Sequence, residues 1–250
     1  MKGAVTFDFW DTIVVDDSDE PKRAAKGLPP KARAREALFI NEILAHHPHL
    51  GPRFVTSAFV HANERFRHHW KVEHRTPSVG DRLREGLAYL EVGETPGFAD
   101  MVGQYEALEV ECAPDLADGI QDCLEALSGR YGLGIISDAI VTPGKGLRQI
   151  LKEYGLLHYF QHTVFSDEAG AAKPAARVFE LACEGLDCAP QNLVHVGDRE
   201  ANDIAGPVAY GARSVLYTGV IDRGTSQTTE ADAVCTHLRE LPAIVDRLLS

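Results

Sequence analysis

The sequence predicts an α/β fold in which a parallel sheet is covered by helices on both faces. Short β-type runs recur along the chain, and each closes on a polar residue. Helical patterns lie between the later runs, and this alternation implies right-handed crossovers and a parallel sheet. One long interval without a convincing strand breaks the alternation, so the sequence also predicts a helical insert.

The predicted strands share a short apolar run and lie at 4–8 (AVTFD), 133–137 (LGIIS), 162–167 (HTVFSD), 193–198 (LVHVGD) and 214–218 (SVLYT). Predicted helices separate the later strands, at 144–157, 176–186 and 202–211. An amphipathic helix over 237–249 is expected to close the chain.

The interval 17–111 is predicted to be a helical domain inserted after the first strand, with 1–16 and 112–250 forming the α/β domain. It begins in an acidic stretch, DDSDEP, and continues through several helix-like segments. Apolar residues recur at every fourth position of one segment: Phe54, Ala58, Ala62, Phe66 and Trp70. We expect this stripe to form one buried helix face rather than a ligand site.

Composition excludes several function classes. The 250 residues are 44% hydrophobic and 25% charged, which is typical of a globular protein. The net charge of -12 disfavours nucleic acid or an anionic membrane surface as a partner. Neither a membrane-spanning run nor a signal peptide is recognisable. Five scattered cysteines without a CxxC pair favour a reducing compartment, so we expect a cytoplasmic protein.

Polar side chains stand where the predicted strands end. Asp8 follows AVTF, Ser137 follows LGII and Asp198 follows LVHVG, while Lys173 lies in the loop AGAAKP. Each alone also suits a turn, a helix cap or a solvated loop. Because the carboxyl ends of parallel strands share one edge of a sheet, we expect these four side chains to converge there. Two carboxylates, a hydroxyl and an ammonium suit phosphate chemistry.

Four segments in order resemble the motifs of the haloacid dehalogenase (HAD) superfamily: FDFWDTI (7–13), IISDA (135–139), AAKP (171–174) and GDREAND (197–203). Each motif alone is weak, but four in order at strand ends form a specific signal. The insert matches only in position and helical character. The resemblance implies a Rossmann-like core with a helical cap domain between its first and second strands.

The resemblance also implies catalytic residues. Asp8 is expected to attack phosphorus and form an aspartyl-phosphate, which divides one difficult displacement into two steps. Ser137 is expected to donate to a phosphoryl oxygen. Lys173 is expected to neutralise charge on Asp8 and on the transferring group.

Metal and substrate contacts follow from the same resemblance. Mg²⁺ is expected to bind Asp8, the main-chain carbonyl of Trp10, and Asp198, with Asp203 orienting a metal-bound water or a neighbouring side chain. Thr12, Trp10 and Asp138 are the expected substrate-binding residues. The expected reaction is hydrolysis of a small phosphorylated, anionic metabolite. A homodimer is a further expectation, since cap helices often provide dimer surfaces.

Trp10 departs from the family pattern, because HAD phosphatases usually carry a second Asp there as general acid. An indole N–H has no useful acidity. Losing a positioned general acid costs about 10²–10⁴ in rate. In a phosphatase, the proton would then come from Asp16, Asp17 or one of the cap histidines at 46, 47, 49, 61, 68, 69 and 74. A substrate with a good leaving group would need no acid.

Other reactions remain open for this scaffold. Dehalogenases of the superfamily also lack the second Asp, but they lack the GD of the fourth motif, which this chain keeps at 197–198. A phosphonatase-like hydrolase would need a cap lysine as Schiff base, and Lys31 and Lys71 are the candidates. A catalytically impaired phosphate-binding protein is the third alternative.

Overall fold

The computed structural model describes residues 3–250. In that part of the chain, one sheet contains the strands β1 (Ala4–Phe7), β2 (Gly132–Ser137), β3 (His162–Phe165), β4 (Leu193–Gly197), β5 (Arg213–Tyr217) and β6 (Ala233–Cys235). The order is β3-β2-β1-β4-β5-β6, and every neighbouring pair is parallel. The predicted α/β fold with a parallel sheet is confirmed.

The register of the central strands aligns their carboxyl ends. Phe7, the last residue of β1, lies opposite Ile135 in β2 and Val196 in β4. The chain continues directly into Asp8, whose N–H donates to the Val196 carbonyl at 2.8 Å. All four residues of β1 are buried, as expected of a central strand covered on both faces. This register puts the ends of β1, β2 and β4 at the same edge.

The sixth strand was not predicted. Residues Ala233–Cys235 extend the sheet beyond β5, and Val234 is 37% exposed at that edge. Three residues are too few to show an alternating or continuous apolar pattern. Strand β6 is therefore defined by its pairing with β5 and not by its own sequence.

Six helices lie between β1 and β2, and the first five fall in the predicted insert: α1 (Asp19–Ala25), α2 (Lys31–His46), α3 (Pro52–Lys71), α4 (Val79–Tyr89) and α5 (Phe98–Glu111). The remaining helices accompany the sheet: α6 (Ile120–Ser128), α7 (Gly144–Glu153), α8 (Ser166–Ala169), α9 (Ala176–Leu186), α10 (Ala205–Tyr210) and α11 (Leu241–Leu248). A single turn with π-helical hydrogen bonding, Glu200–Ile204, precedes α10. No helix in residues 3–250 combines the length and the apolar character needed to cross a membrane.

Helices α2 to α5 share a hydrophobic cluster of their own, and together with α1 they are here called the helical unit. Phe39, Ile43, Leu83, Phe98 and Tyr105 are among its buried members. A second cluster packs around the sheet and includes residues from β1, β2, β4 and β5. We propose that the helical unit is the cap domain expected over 17–111.

The apolar stripe of α3 is only partly buried. Ala58, Ala62 and Phe66 are buried as predicted, but Phe54 is 43% exposed and Val55 is buried instead. Steps of four residues advance about 400° around a helix of 3.6 residues per turn, so a long stripe drifts off one face. At the far end of the stripe, Trp70 lies outside the hydrophobic cluster of the helical unit and lines a cavity at the sheet edge.

Candidate active site at the carboxyl edge of the sheet

Lys173 lies between two carboxylates at this edge. Its Nζ is 2.7 Å from Asp8 Oδ1 and 2.6 Å from Asp203 Oδ1, and the residue is only 3% exposed. Burial alone would lower the pKa of Lys173, but the charges of Asp203 and Asp8 outweigh it and raise the pKa. The ammonium therefore stays protonated beside Asp8.

Three carboxylates meet beside this ammonium. Oxygen atoms of Asp8, Asp198 and Asp203 lie within 4.8 Å of one another, and all three residues are buried. Burial, followed by the charges of Asp8 and Asp203, raises the pKa of Asp198 to about 7. Asp198 Oδ1 has no hydrogen-bond partner among residues 3–250. A buried oxygen that accepts no hydrogen bond, within a group of three carboxylates, fits a site where oxygen ligands bind a divalent cation.

Asp203 has little free capacity for a further partner. Its Oδ1 accepts from Lys173 and lies 3.2 Å from His195 Nε2, while its Oδ2 accepts from the Arg199 N–H at 2.9 Å. Burial opposes ionisation of Asp203, but Lys173 and His195 outweigh it and lower the pKa. A Cβ at Gly197 would overlap the Asp203 carboxyl group, so this close approach requires glycine.

Asp138 connects three parts of the site. Its Oδ1 accepts from the Lys173 main-chain N–H at 3.0 Å. Its Oδ2 accepts from Trp70 Nε1 at 2.8 Å and from Asn202 Nδ2 at 3.1 Å. The apolar stripe of α3 predicts core packing for Trp70, and Asn202 is a residue type that suits a helix cap. Neither pattern contains a signal for this long-range contact.

Ser137 and Thr12 bring two buried hydroxyls near the strand ends. Ser137 is the last residue of β2 and Thr12 lies in the turn after β1. Neither hydroxyl has a hydrogen-bond partner in the described part of the chain. Neither hydroxyl therefore bonds to Lys173 or to the carboxylates around it. Since a buried polar group without a partner is costly, both hydroxyls suit contact with a ligand.

A cavity of about 310 Å³ opens between the sheet edge and the helical unit. Asp8, Trp10, Asp138 and Lys173 line it from the sheet side. The half-buried Trp10 ring meets Phe9 edge to face, with centroids 5.0 Å apart. Trp10 thus supplies an apolar wall at the position where a second carboxylate was expected.

The helical unit contributes mainly charged groups to the same cavity. They include Asp17, Lys31, Arg35 and Glu109, and Asp16, in the segment that leads into the helical unit, adds a further carboxylate. The Lys31 ammonium lies 2.7 Å from Asp19, 3.2 Å from Asp17 and 3.5 Å from Glu109. None of the seven cap histidines proposed as proton donors lines this cavity, whose walls all lie in the described chain.

Arg223 closes the site from a direction that the sequence did not indicate. It donates through Nε to Asp198 Oδ2 and through Nη2 to Asp11 Oδ2, the latter at 2.8 Å. Asp11 has a φ of 52° and its Oδ1 accepts from the Asp16 N–H at 3.0 Å. Asp11 therefore caps the turn after β1, whereas Arg223 follows 212 residues later and belongs to no motif.

Known proteins resemble this chain in sequence. Glyceraldehyde 3-phosphate phosphatase of Methanothermobacter thermautotrophicus is 33% identical over 109 residues, 44% of each chain. Haloacid dehalogenase-like hydrolase domain-containing protein 3 of Danio rerio is 30% identical over 136 residues, 53% of this chain and 54% of the relative. Phosphoserine phosphatase of Thermus thermophilus is 35% identical over 77 residues, 31% of this chain and 29% of that protein. The chain spans about half the length, or less, of these relatives.

Solved structures share the fold over nearly the whole chain. A HAD phosphatase from Thermococcus onnurineus has a TM-score of 0.63 at 23% identity and covers 97% of both chains. A 2-haloacid dehalogenase from Pseudomonas syringae pv. tomato has a TM-score of 0.65 at 22% identity and covers 99% of both. The family model described as haloacid dehalogenase-like hydrolase matches residues 2–211. Since this match includes β1, the helical unit and all four motif segments, the chain belongs to the haloacid dehalogenase-like hydrolase family.

Proposed function

We propose that this hydrolase is a Mg²⁺-dependent phosphatase of a small phosphorylated metabolite, acting through an aspartyl-phosphate on Asp8. The observation that carries the proposal is the buried contact of 2.7 Å between Asp8 and Lys173, next to the Asp198 oxygen that accepts no hydrogen bond within residues 3–250. Two of the relatives are named as phosphatases of small phosphate esters. Their partial coverage makes this support for the reaction class and not for a substrate.

Asp8 is suited to be the nucleophile. Its carboxylate lines the cavity at the end of the central strand. In the proposed first step, an Asp8 oxygen forms a bond to phosphorus while the bond to the leaving oxygen breaks; water then cleaves the acyl-phosphate. Lys173 offsets negative charge on Asp8 and on the phosphoryl group, and the free hydroxyls of Ser137 and Thr12 donate to phosphoryl oxygens.

The carboxylates also suit the metal. We propose that Asp8, Asp198 and the main-chain carbonyl of Trp10 hold Mg²⁺, an ion that prefers oxygen ligands. Bound there, Mg²⁺ would supply charge neutralisation that lets an anionic phosphate approach an anionic Asp8. Asp203, whose oxygens accept three hydrogen bonds from the protein, would act by holding Lys173 and the Arg199 main chain in place.

Asp16 is our proposed proton donor in place of the missing second Asp. It lines the same cavity as Asp8. Partial burial, and then the charge of Asp17, raise the pKa of Asp16 above the usual aspartate value. A raised pKa keeps a carboxyl group protonated closer to neutral pH, which is what a general acid needs.

The lysine chemistry of a phosphonatase is not supported. Burial would lower the pKa of Lys31, but the hydrogen bond to Asp19 and the charge of Glu109 raise it. A Schiff-base lysine must lose its proton readily, and a raised pKa opposes this. Lys71 lies over the Trp70 ring at 5.6 Å and does not line the cavity at Asp8, whose walls lie in the described chain.

Hydrolysis of p-nitrophenyl phosphate and acetyl phosphate with Mg²⁺ tests the proposal. We expect turnover that EDTA abolishes and that Asp8→Asn lowers at least about 10³-fold, because the covalent step is lost. Asp187→Asn is the matched control, since Asp187 is exposed and has the positive φ that Asn tolerates. Full activity of Asp8→Asn, or halide release from a 2-haloacid without phosphate release, would overturn the proposal.

A further inference from the structure

A second cavity, of about 490 Å³, lies against the helical unit next to the first. Helices α2, α3 and α4 and residue Tyr105 of α5 provide most of its walls. Ala32, Arg35 and Val141 line both cavities. A ligand that reaches Asp8 therefore has this second cavity, here called the cap groove, as its neighbour.

The cap groove is strongly basic. Four arginines and one glutamate are its charged lining residues: Arg33, Arg35, Arg67, Arg82 and Glu36. Two of the arginines are neutralised, because Arg33 pairs with Glu36 at 2.8 Å and Arg35 pairs with Glu109. Arg67 and Arg82 have no carboxylate partner within residues 3–250. Two positive charges thus remain uncompensated in one groove of an acidic protein.

Arg82 is the more informative of the two. Its guanidinium lies 4.3 Å from the centroid of the Phe66 ring. Within residues 3–250 it donates only to neutral acceptors, the Ile140 carbonyl at 3.2 Å and the Asn63 side-chain oxygen. Its Nε is buried and has no hydrogen-bond partner in the described chain.

A guanidinium in this state is costly to the folded protein. Removing a cation from water without a counter-ion is unfavourable, and each buried donor without an acceptor adds to the cost. Burial lowers the pKa of Arg82; Tyr105 opposes this, and the like charges of Arg35 and Arg67 reinforce it. An anion in the groove would relieve both the repulsion and the unmet donor.

We propose that Arg67 and Arg82 bind an oxyanion, either a carboxylate or a phosphate, in the cap groove. Because the groove adjoins the cavity at Asp8, we assign this oxyanion to the substrate itself, as a second anionic group beyond the ester that is hydrolysed. This assignment rests on the proposed phosphatase function. A separate small anion presents the same oxygen atoms, so the experiment must distinguish the two sources.

A purely structural role for these two arginines is the alternative to ligand binding. The bond from Arg82 to the Ile140 carbonyl joins the helical unit to the loop after β2 and would need no ligand. It explains neither the unpartnered Nε nor the nearby Arg67, which is exposed and makes no ion pair in the described chain. Arg67→Gln is therefore the principal variant, because its loss should not disturb folding. Arg82→Gln is the second.

The first measurement compares kcat/KM for glycerol 3-phosphate, 3-phosphoglycerate and fructose 1,6-bisphosphate, with Mg²⁺ present. We expect at least one of the two esters that carry a second anionic group to be preferred over glycerol 3-phosphate. We expect Arg67→Gln to reduce that preference about tenfold or more. Arg65→Gln is the matched control, because Arg65 is exposed on the same helix and lines neither cavity. p-Nitrophenyl phosphate reports in parallel whether the phosphatase reaction itself is intact.

The second measurement titrates sodium sulfate into the same proteins by calorimetry, which requires no turnover. Loss of one sulfate site in Arg67→Gln, without any substrate preference in the wild type, would identify a separate anion as the occupant. Unchanged sulfate binding together with unchanged substrate preference in both arginine variants would overturn the proposal. If p-nitrophenyl phosphate is not hydrolysed, the phosphatase function fails while the sulfate titration still decides whether the groove binds anions.

Discussion

The Trp70 indole N–H donates to Asp138 Oδ2 at 2.8 Å, which joins the end of α3 to the loop that follows β2. The other oxygen of the same carboxylate accepts from the Lys173 N–H at 3.0 Å. One aspartate thus connects the helical unit with the loop that carries the ammonium beside Asp8. Positions of the helical unit and of Lys173 are coupled through it.

Trp70→Phe removes this donor and keeps most of the aromatic volume. We expect kcat/KM for p-nitrophenyl phosphate to fall about tenfold, because a hydrogen bond to a charged acceptor contributes about 1.5–3 kcal/mol. Tyr154→Phe is the control, since it deletes a comparable bond, to the Pro114 carbonyl, that does not involve Asp138. Equal kinetics for Trp70→Phe and the wild type would show that Asp138 does not need the cap contact.

The proposed proton donor is tested by leaving-group dependence. Asp16→Asn should lower kcat for an alkyl phosphate about 10²-fold or more, since the alkoxide then departs without a proton. p-Nitrophenyl phosphate, with its acidic leaving group, should be hydrolysed at close to the wild-type rate. Asp17→Asn is the matched control, because Asp17 lines the same cavity. If only Asp17→Asn loses alkyl phosphate turnover, Asp17 is the proton donor, and the proposal for Asp16 is contradicted.

Ionisation of Asp198 should make the metal-free protein less stable as pH rises. Burial and the neighbouring carboxylates raise the pKa of Asp198 to about 7. An unfolded aspartate has a pKa of about 3.9, so between about pH 4 and pH 7 the folded chain binds more protons and its free energy of unfolding falls with pH.

In EDTA, we therefore expect the melting temperature to fall by several degrees from about pH 5 to about pH 8, where 1 kcal/mol corresponds to roughly 2–4 °C. Mg²⁺ at the higher pH should restore it, because the cation stabilises the ionised carboxylate. Asp198→Asn should flatten the pH profile in differential scanning calorimetry. A wild-type profile that rises with pH in EDTA would contradict the raised pKa.

Trp10→Asp restores the carboxyl group found at this position in HAD phosphatases. If Asp16 donates the proton less effectively than an aspartate at position 10 would, turnover of alkyl phosphates should rise by at least about tenfold, with little change for p-nitrophenyl phosphate. Trp10→Phe separates the acid from the lost indole, because it keeps an apolar ring in the cavity wall. An unchanged or lower rate for Trp10→Asp would indicate that Trp10 acts as a wall that the reaction needs.

The parts of the fold that the sequence predicted are those coded by contiguous residues. Buried strands such as β2 and β4 are mostly apolar, so polar residues mark their ends: Ser137 is the last residue of β2 and Asp198 follows β4. Strand β6 has three residues and an exposed Val234, so nothing local distinguished it from a loop. Its identity depends on pairing with β5.

The site was predictable to the extent that its residues lie in motifs. Asp8, Lys173 and Asp198 could be predicted to lie at one edge because each follows or precedes a recognisable element. Trp70 and Arg223 could not, because their partners lie 68 and 25 residues away in the chain. Long side chains that reach another element leave no periodic signal. The cap groove could not be predicted for the same reason, since its arginines come from three helices.

The central position of β1 also bears on how the polypeptide acquires its structure. This strand is synthesised before both of its hydrogen-bonding neighbours, which begin only at Gly132 and Leu193. The apolar segment of β1 therefore stays unpaired while well over a hundred further residues leave the ribosome. Such long-range pairing slows folding and exposes an aggregation-prone edge. We expect chaperone assistance during expression to matter more for this protein than for a helical protein of equal length.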